Sequence, residues 1–195
     1  PTEPIDVNPD EKISDLLKNM SHTGFQGRKL AEITEILVRM LRKKNCVIWM
    51  GLAGAMVPAG MRKVVSYLIR RRMIDVLVTT GANLYHDTFE AKGQKHYVGS
   101  SGLNDVQLRK SRIDRIYDVL ADEQKFYKLD NWIQKQLSTR LLDDTPYSSR
   151  EILEKLGELL EETAKEKHSI ILDAYRAKVP VYSPALDDSA LGFSL

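Results

Sequence analysis

The stretch VLVTTGANLYHD, residues 76 to 87, begins as an apolar run and ends on Thr79, Thr80, Gly81, Ala82, Asn83, Tyr85, His86 and Asp87. A strand that finishes on small residues, hydroxyls and titratable groups offers backbone N–H donors and side-chain acceptors at its tip. That is the equipment that holds a phosphate or a ribose. Two further segments share this make-up: GLAGAMVPAG, residues 51 to 60, and SPALDDS, residues 183 to 189. The first carries G-x-x-G rather than the G-x-G-x-x-G dinucleotide fingerprint. Taken alone it reads equally well as a tight strand-to-helix turn with no ligand. Three such tips together point to a dinucleotide lying across the strand ends. His86 beside Asp87 reads either as a possible acid/base oriented by a carboxylate or as a loop histidine bonded to backbone. Tyr85 reads as stacking or as packing. His22, His96 and His168 lack any metal-ligand spacing, so no metal site is expected.

Those tips need strands beneath them and helices between them. CVIWM (46–50) is a continuous apolar run, as expected of a strand covered on both faces, with Cys46 a buried, inert thiol at its start. MRKVVSYLIRRRM resumes a helical period, and IDVLVTT (74–80) is a second strand. Strand, glycine turn, helix and strand in this order form a βαβ unit with parallel strands and a right-handed crossover. The expected fold class is therefore α/β, a Rossmann-like doubly wound parallel sheet with an N-terminal helical extension. Residues 27 to 44 read as an amphipathic helix with one buried face, and 112 to 120 as a third strand. Residues 122 to 142, 148 to 164 and 168 to 177 read as helices, and 179 to 183 as a final strand. The expected organisation is a leader over residues 1 to 22, followed by the N-terminal part of a single dinucleotide-binding α/β domain over 23 to 195. That domain reads as incomplete at its C-terminus, because the chain stops where a doubly wound sheet enters its next helix.

With 43% hydrophobic and 29% charged residues the chain has the composition of a globular protein. Its 29 basic and 27 acidic residues nearly balance, which argues against nucleic acid as a partner. The clusters Arg42-Lys43-Lys44 and Arg70-Arg71-Arg72 fall where helices are expected to end, so their cations offset the helix dipole. One cysteine excludes an internal disulfide. No apolar run has the length of a membrane span, and a cytoplasmic protein is expected.

TGFQG (23–27), WMGLAGAMVPAGMR (49–62), MIDVLVTTGANLYHD (73–87) and VPVYSPALDDSALG (179–192) together resemble the deoxyhypusine synthase family, in that order and at similar spacing. The resemblance implies a homotetramer with a Rossmann-like sheet that binds NAD, oxidises spermidine, holds an aminobutyl group on a lysine and passes it to a lysine of the translation factor that carries hypusine. It implies that Gly54, Ala55, Met56, Val57 and Pro58 form one cofactor-contacting turn, that Thr80, Gly81 and Ala82 form a second, and that Asp188 grips the nicotinamide ribose. By the same resemblance Tyr85 and His86 stand where the family usually has two adjacent glutamates, with His86 near both nicotinamide and amine. Phe193 stands where it has an aspartate, so Tyr85, His86 and Phe193 are the expected substrate residues. The family's lysine lies in a tryptophan-glycine-lysine motif further downstream than this chain runs, and Lys92 and Lys95 look solvated. Alternatives remain open at this point: a polyamine-modifying relative such as a homospermidine synthase-like enzyme, a non-catalytic NAD-site subunit that needs a lysine-bearing partner, and a sirtuin-like deacylase, against which the missing cysteine pairs argue.

Overall fold

The structure is a computed structural model describing residues 1–141 and 146–195. It comprises two compact units, Pro1–Cys46 and Val47–Leu195. In the first, α1 (Ile13–Asn19) and a 3-10 turn (Met20–His22) precede α2 (Phe25–Arg42), so the segment expected as a leader carries a helix that packs on α2. The helix α2 ends at Arg42, as its basic tail requires. Its expected buried face is not buried. Of its residues only Ala31 is buried, while Ile33 is 60% exposed and Leu30, Ile36 and Leu37 are exposed beside it.

The second unit opens with the βαβ motif: β1 (Trp49–Leu52), a wide turn (Val57–Met61), α3 (Arg62–Arg70) and β2 (Val76–Thr79). The strand β6 (Val181–Tyr182) pairs with the other edge of β2, giving a parallel sheet in the order β1-β2-β6. The centre of β2 is buried, with Leu77 fully enclosed. The expectation that β1 is covered on both faces does not hold. Ile48 and Leu52 are buried, but Val47 and Trp49 are 65% and 63% exposed. Cys46 precedes the strand and is half-buried, because the chain has not yet entered the sheet.

The expected third strand over 112 to 120 is instead an antiparallel hairpin, β4 (Ile113–Ile116) and β5 (Val119–Asp122), joined through Tyr117 and Asp118. With β3 (Tyr97–Val98) it forms a separate sheet in the order β3-β5-β4. Arg112, Asp114, Arg115 and Asp118 explain the difference. Charged side chains at this density cannot enter a strand covered on both faces, whereas an antiparallel hairpin leaves one side open to water.

The remaining helices are α4 (Gly81–Ala91), α5 (Asp105–Lys110), α6 (Glu123–Leu137), α7 (Ser149–Thr163), α8 (Ile170–Ala177) and α9 (Ala190–Phe193). The helix α6 starts at Glu123, after Asp122, whose side chain accepts from Gln124 N–H as the cap, and residue 142 of the expected helix lies outside the described residues. The capping box is present at α7: Ser148 Oγ accepts from Glu151 N–H while the Glu151 carboxylate accepts from Ser148 N–H. The helix α8 packs against α3, α4 and α7, with Ile69, Leu84, Leu156 and Ile171 in the core.

Candidate functional site

Parallel pairing brings the three tips to one edge of the first sheet. Thr80 ends β2 in extended backbone, and α4 starts at once. No side chain caps α4, so its first-turn N–H groups lack a side-chain acceptor and carry the partial positive charge of the helix. Gly81 is buried because Ser189, from the third tip, sits against it. A Cβ there would come within 2.2 Å of Ser189 Oγ. The small residue thus lets the β6 tip lie on the N-terminus of α4. Gly54 turns the first tip with φ +74°, and the space beside its Cα is open.

Asn83 ties two tips together. It is buried; its Oδ1 accepts from Val57 N–H at 3.3 Å, and its Nδ2 donates to Thr80 Oγ1 at 3.2 Å. The fixed edge that results exposes Gly54, Ala55, Thr80, Ala82 and Asp188, leaves Met56 half-buried, and encloses Val57 and Pro58. The Val57 N–H is therefore already engaged, and the accessible part of the glycine turn is Gly54–Ala55.

Next to this edge lies a cavity of about 440 Å³, lined from α4 by Ala82, Tyr85 and His86, from β4 by Asp114 and Arg115, from α6 by Phe126 and Asp130, and from α9 by Ala190. A larger hollow of about 530 Å³ sits at the N-terminal end of β6, around Tyr175 and Pro180, away from the tips. The cavity at the tips is the one the predicted residues reach. Tyr85 is 5% exposed and donates to Asp130 Oδ1 at 2.5 Å. Burial and the neighbouring carboxylate push its phenol above the usual range, so it remains a donor. Phe126 stands 5.6 Å from the Tyr85 ring and 5.6 Å from the His86 ring, forming an aromatic wall.

His86 is not oriented by Asp87, as their adjacency had implied. Neighbouring residues on a helix point about 100° apart, and these two go to different partners. Asp87 is fully buried and accepts from Arg62 Nε at 3.0 Å and from the N–H groups of Ile170 and Ile171, each at 2.9 Å. It joins α3, α4 and the start of α8. His86 Nδ1 instead lies 3.0 Å from His96 Nε2, and His96 Nδ1 lies 2.8 Å from Glu90 Oε1. Burial and the adjacent His96 hold the His86 imidazole down to about 4, so it is neutral near pH 7.

Phe193 lies outside this cavity lining and is 85% exposed. Lys92 is not solvated as expected: its Nζ donates to Thr163 O at 3.0 Å and sits 4.1 Å from the Trp132 ring centre, capping the end of α7. Desolvation and Lys165 lower its pKa. Sequence reasoning missed Asp114, Phe126 and Asp130, which come from elements remote in the chain, and considered His96, ten residues after His86, only as a metal ligand. The one legible signal was Glu90, four residues after His86 and so on the same helical face.

A family model described as deoxyhypusine synthase matches residues 15–195. A probable deoxyhypusine synthase 2 of Methanosarcina mazei is 51% identical over 195 residues, covering all of this chain and 56% of the relative. A probable deoxyhypusine synthase 2 of Archaeoglobus fulgidus is 50% identical over 175 residues, covering 90% of this chain and 57% of the relative. The chain thus spans little more than half the length of these curated relatives. A crystal structure of a putative deoxyhypusine synthase from Entamoeba histolytica shares the fold, with a TM-score of 0.69 at 18% identity, over 98% of this chain and 65% of that one.

Proposed function

Because the chain belongs to the deoxyhypusine synthase family, we propose that it forms the NAD-binding part of an aminoalkyl transferase that takes a polyamine of the spermidine type as donor and a protein lysine as acceptor. The observation that carries this reading is the uncapped N-terminus of α4, set between an exposed glycine turn and the third tip with its exposed Asp188. The residues fit a dinucleotide. The N–H groups at Gly81 and Ala82 suit a pyrophosphate, Gly54 and Ala55 leave room for close approach of backbone, and the Asp188 carboxylate is an acceptor for ribose hydroxyls. NAD, when bound, supplies the acceptor for a hydride from an amine-bearing carbon.

The chain's own residues hold and orient. Asn83 locks the first tip to the second, so both present their backbone in fixed register. Tyr85 keeps its proton and fixes Asp130 on the cavity wall. His86, neutral near pH 7, presents a polar ring without adding positive charge. The imine-forming lysine of the reaction belongs, in this reading, to residues outside this stretch, and the protein works as a homo- or hetero-oligomer with the hypusine-bearing translation factor as acceptor.

The test uses the intact protein. It should bind NAD, as read by titration calorimetry, and a polyamine should raise absorbance at 340 nm. Failure to bind NAD overturns the reading.

A further inference from the structure

Asp188, the exposed carboxylate of the third tip, lies on a 3-10 turn (Leu186–Asp188) that follows a short strand. An exposed side chain in such a place keeps a fixed position only if the backbone beneath it is held. The helix α9 does this by folding back under the turn, and it is fixed at three points. The first is Gly192. A Cβ there would stand 2.6 Å from Asp187 Cα and closer still to Leu186 O. Both are main-chain atoms and cannot swing aside, so the missing side chain is what lets α9 reach the backbone that carries Asp188. The second is Leu191, which is fully buried. Beside it Ser189 Oγ accepts from Gly192 N–H at 3.3 Å and donates to Leu186 O at 2.6 Å, closing the fold-back.

The third point lies at the far end of α9. Asp130 Oδ1, on α6, accepts from the Tyr85 hydroxyl at 2.5 Å, and the buried Ser194 hydroxyl reaches the same oxygen at 3.4 Å while also donating to Ala190 O at 2.8 Å. One carboxylate oxygen thus gathers hydroxyls from α4 and from the residue that ends α9. Hydrogen bonds to a charged acceptor are the stronger kind. Without Asp130 the enclosed Tyr85 hydroxyl keeps only Phe126 O, at 3.3 Å. The end of α9 then loses its tie to the helices beneath it.

We propose that α9 is the support that sets Asp188 for the dinucleotide, with Gly192 and Asp130 as its positioning residues. Gly192 acts through the backbone of residues 186 and 187, and Asp130 acts through Ser194 and Tyr85. The inference rests on the NAD-binding reading above, in which Asp188 accepts from ribose hydroxyls, and it names what gives that carboxylate its place.

The probes are ADP-ribose, which carries the ribose assigned to Asp188, and ADP, which lacks it, titrated calorimetrically into the intact protein. Asp130→Ala and Gly192→Ala should each weaken ADP-ribose about tenfold or more, the loss expected for a misplaced charged acceptor, and leave ADP within about twofold. A general loss of structure would weaken both ligands alike. Asp130→Asn keeps an acceptor oxygen and should restore ADP-ribose binding. Ser194→Ala removes a single hydroxyl, should weaken ADP-ribose in the same direction, and covers the case in which the other variants fold poorly. Amide hydrogen exchange without ligand gives a separate readout: in Asp130→Ala the amides of Gly192, Phe193 and Ser194 should exchange about tenfold faster, with those of β2 unchanged. Equal weakening of ADP and ADP-ribose, ADP-ribose affinity unchanged in all three alanine variants, or unchanged exchange at the tip overturns the proposal. A wild-type protein that binds neither NAD nor ADP-ribose overturns the function proposed above, and the exchange measurement then decides by itself whether Asp130 holds α9.

Discussion

His86 shows how a single side chain changes meaning once its neighbours are known. Its ring is neutral because burial and His96 depress its affinity for a proton to about 4, against 6.5 for an unperturbed histidine. An unfolded chain takes up that proton near pH 6.5 and the folded chain only near pH 4. Between those values the unfolded state binds more protons, so the contribution is fully present above pH 6.5 and is lost as pH falls toward 4. The size is on the order of 3 kcal/mol at most. Urea unfolding of the wild type and of His86→Asn at pH 7 and pH 4.5 should show a smaller pH-dependent loss in the variant, and equal losses would refute the assignment.

At the scale of elements, the site depends on how closely the third tip approaches the start of α4. Gly81 allows that approach because Ser189, held by its own bond from Oγ to Leu186 O, has no room to retreat from a Cβ. Gly81→Ala should destabilise the protein by about 1 to 3 kcal/mol, the usual range for overpacking, and should weaken NAD binding in the same variant. A thermal melt and a calorimetric titration measure the two effects. An unchanged melting temperature would show that the tip adjusts freely. The βαβ order and the positions of α7 and α8 were legible from periodicity and caps, since those signals are local. The hairpin at β4 and β5 was not read as such, because a short run of alternating apolar and charged residues fits either an exposed hairpin or a poor sheet strand. Pairing partners decide between them, and partners are non-local.

At the scale of the whole molecule, the apolar residues of α2 are the unsettled surface. Ile33, Ile36 and Leu37 are exposed on one helix, and contiguous apolar area of this kind marks an interaction face. If the oligomer proposed above forms through this face, Ile33→Asp combined with Leu37→Asp in the intact protein should give a smaller species by light scattering than the unaltered protein; an unchanged mass would exclude this face from such an interface. No helix among the described residues is long and apolar enough to cross a membrane.

Sequence alone determined the family, the parallel βαβ core and the three tips, because these rest on local patterns: glycine at turns, apolar runs in strands, and motifs at set spacing. Tertiary structure decided the partners. It sent Asp87 into the core against Arg62, turned His86 toward His96, and brought Asp114 and Asp130 to the same cavity from 28 and 44 residues downstream of His86. Side chains that far apart in the chain meet only when helices pack, and no pattern within a single element records that meeting.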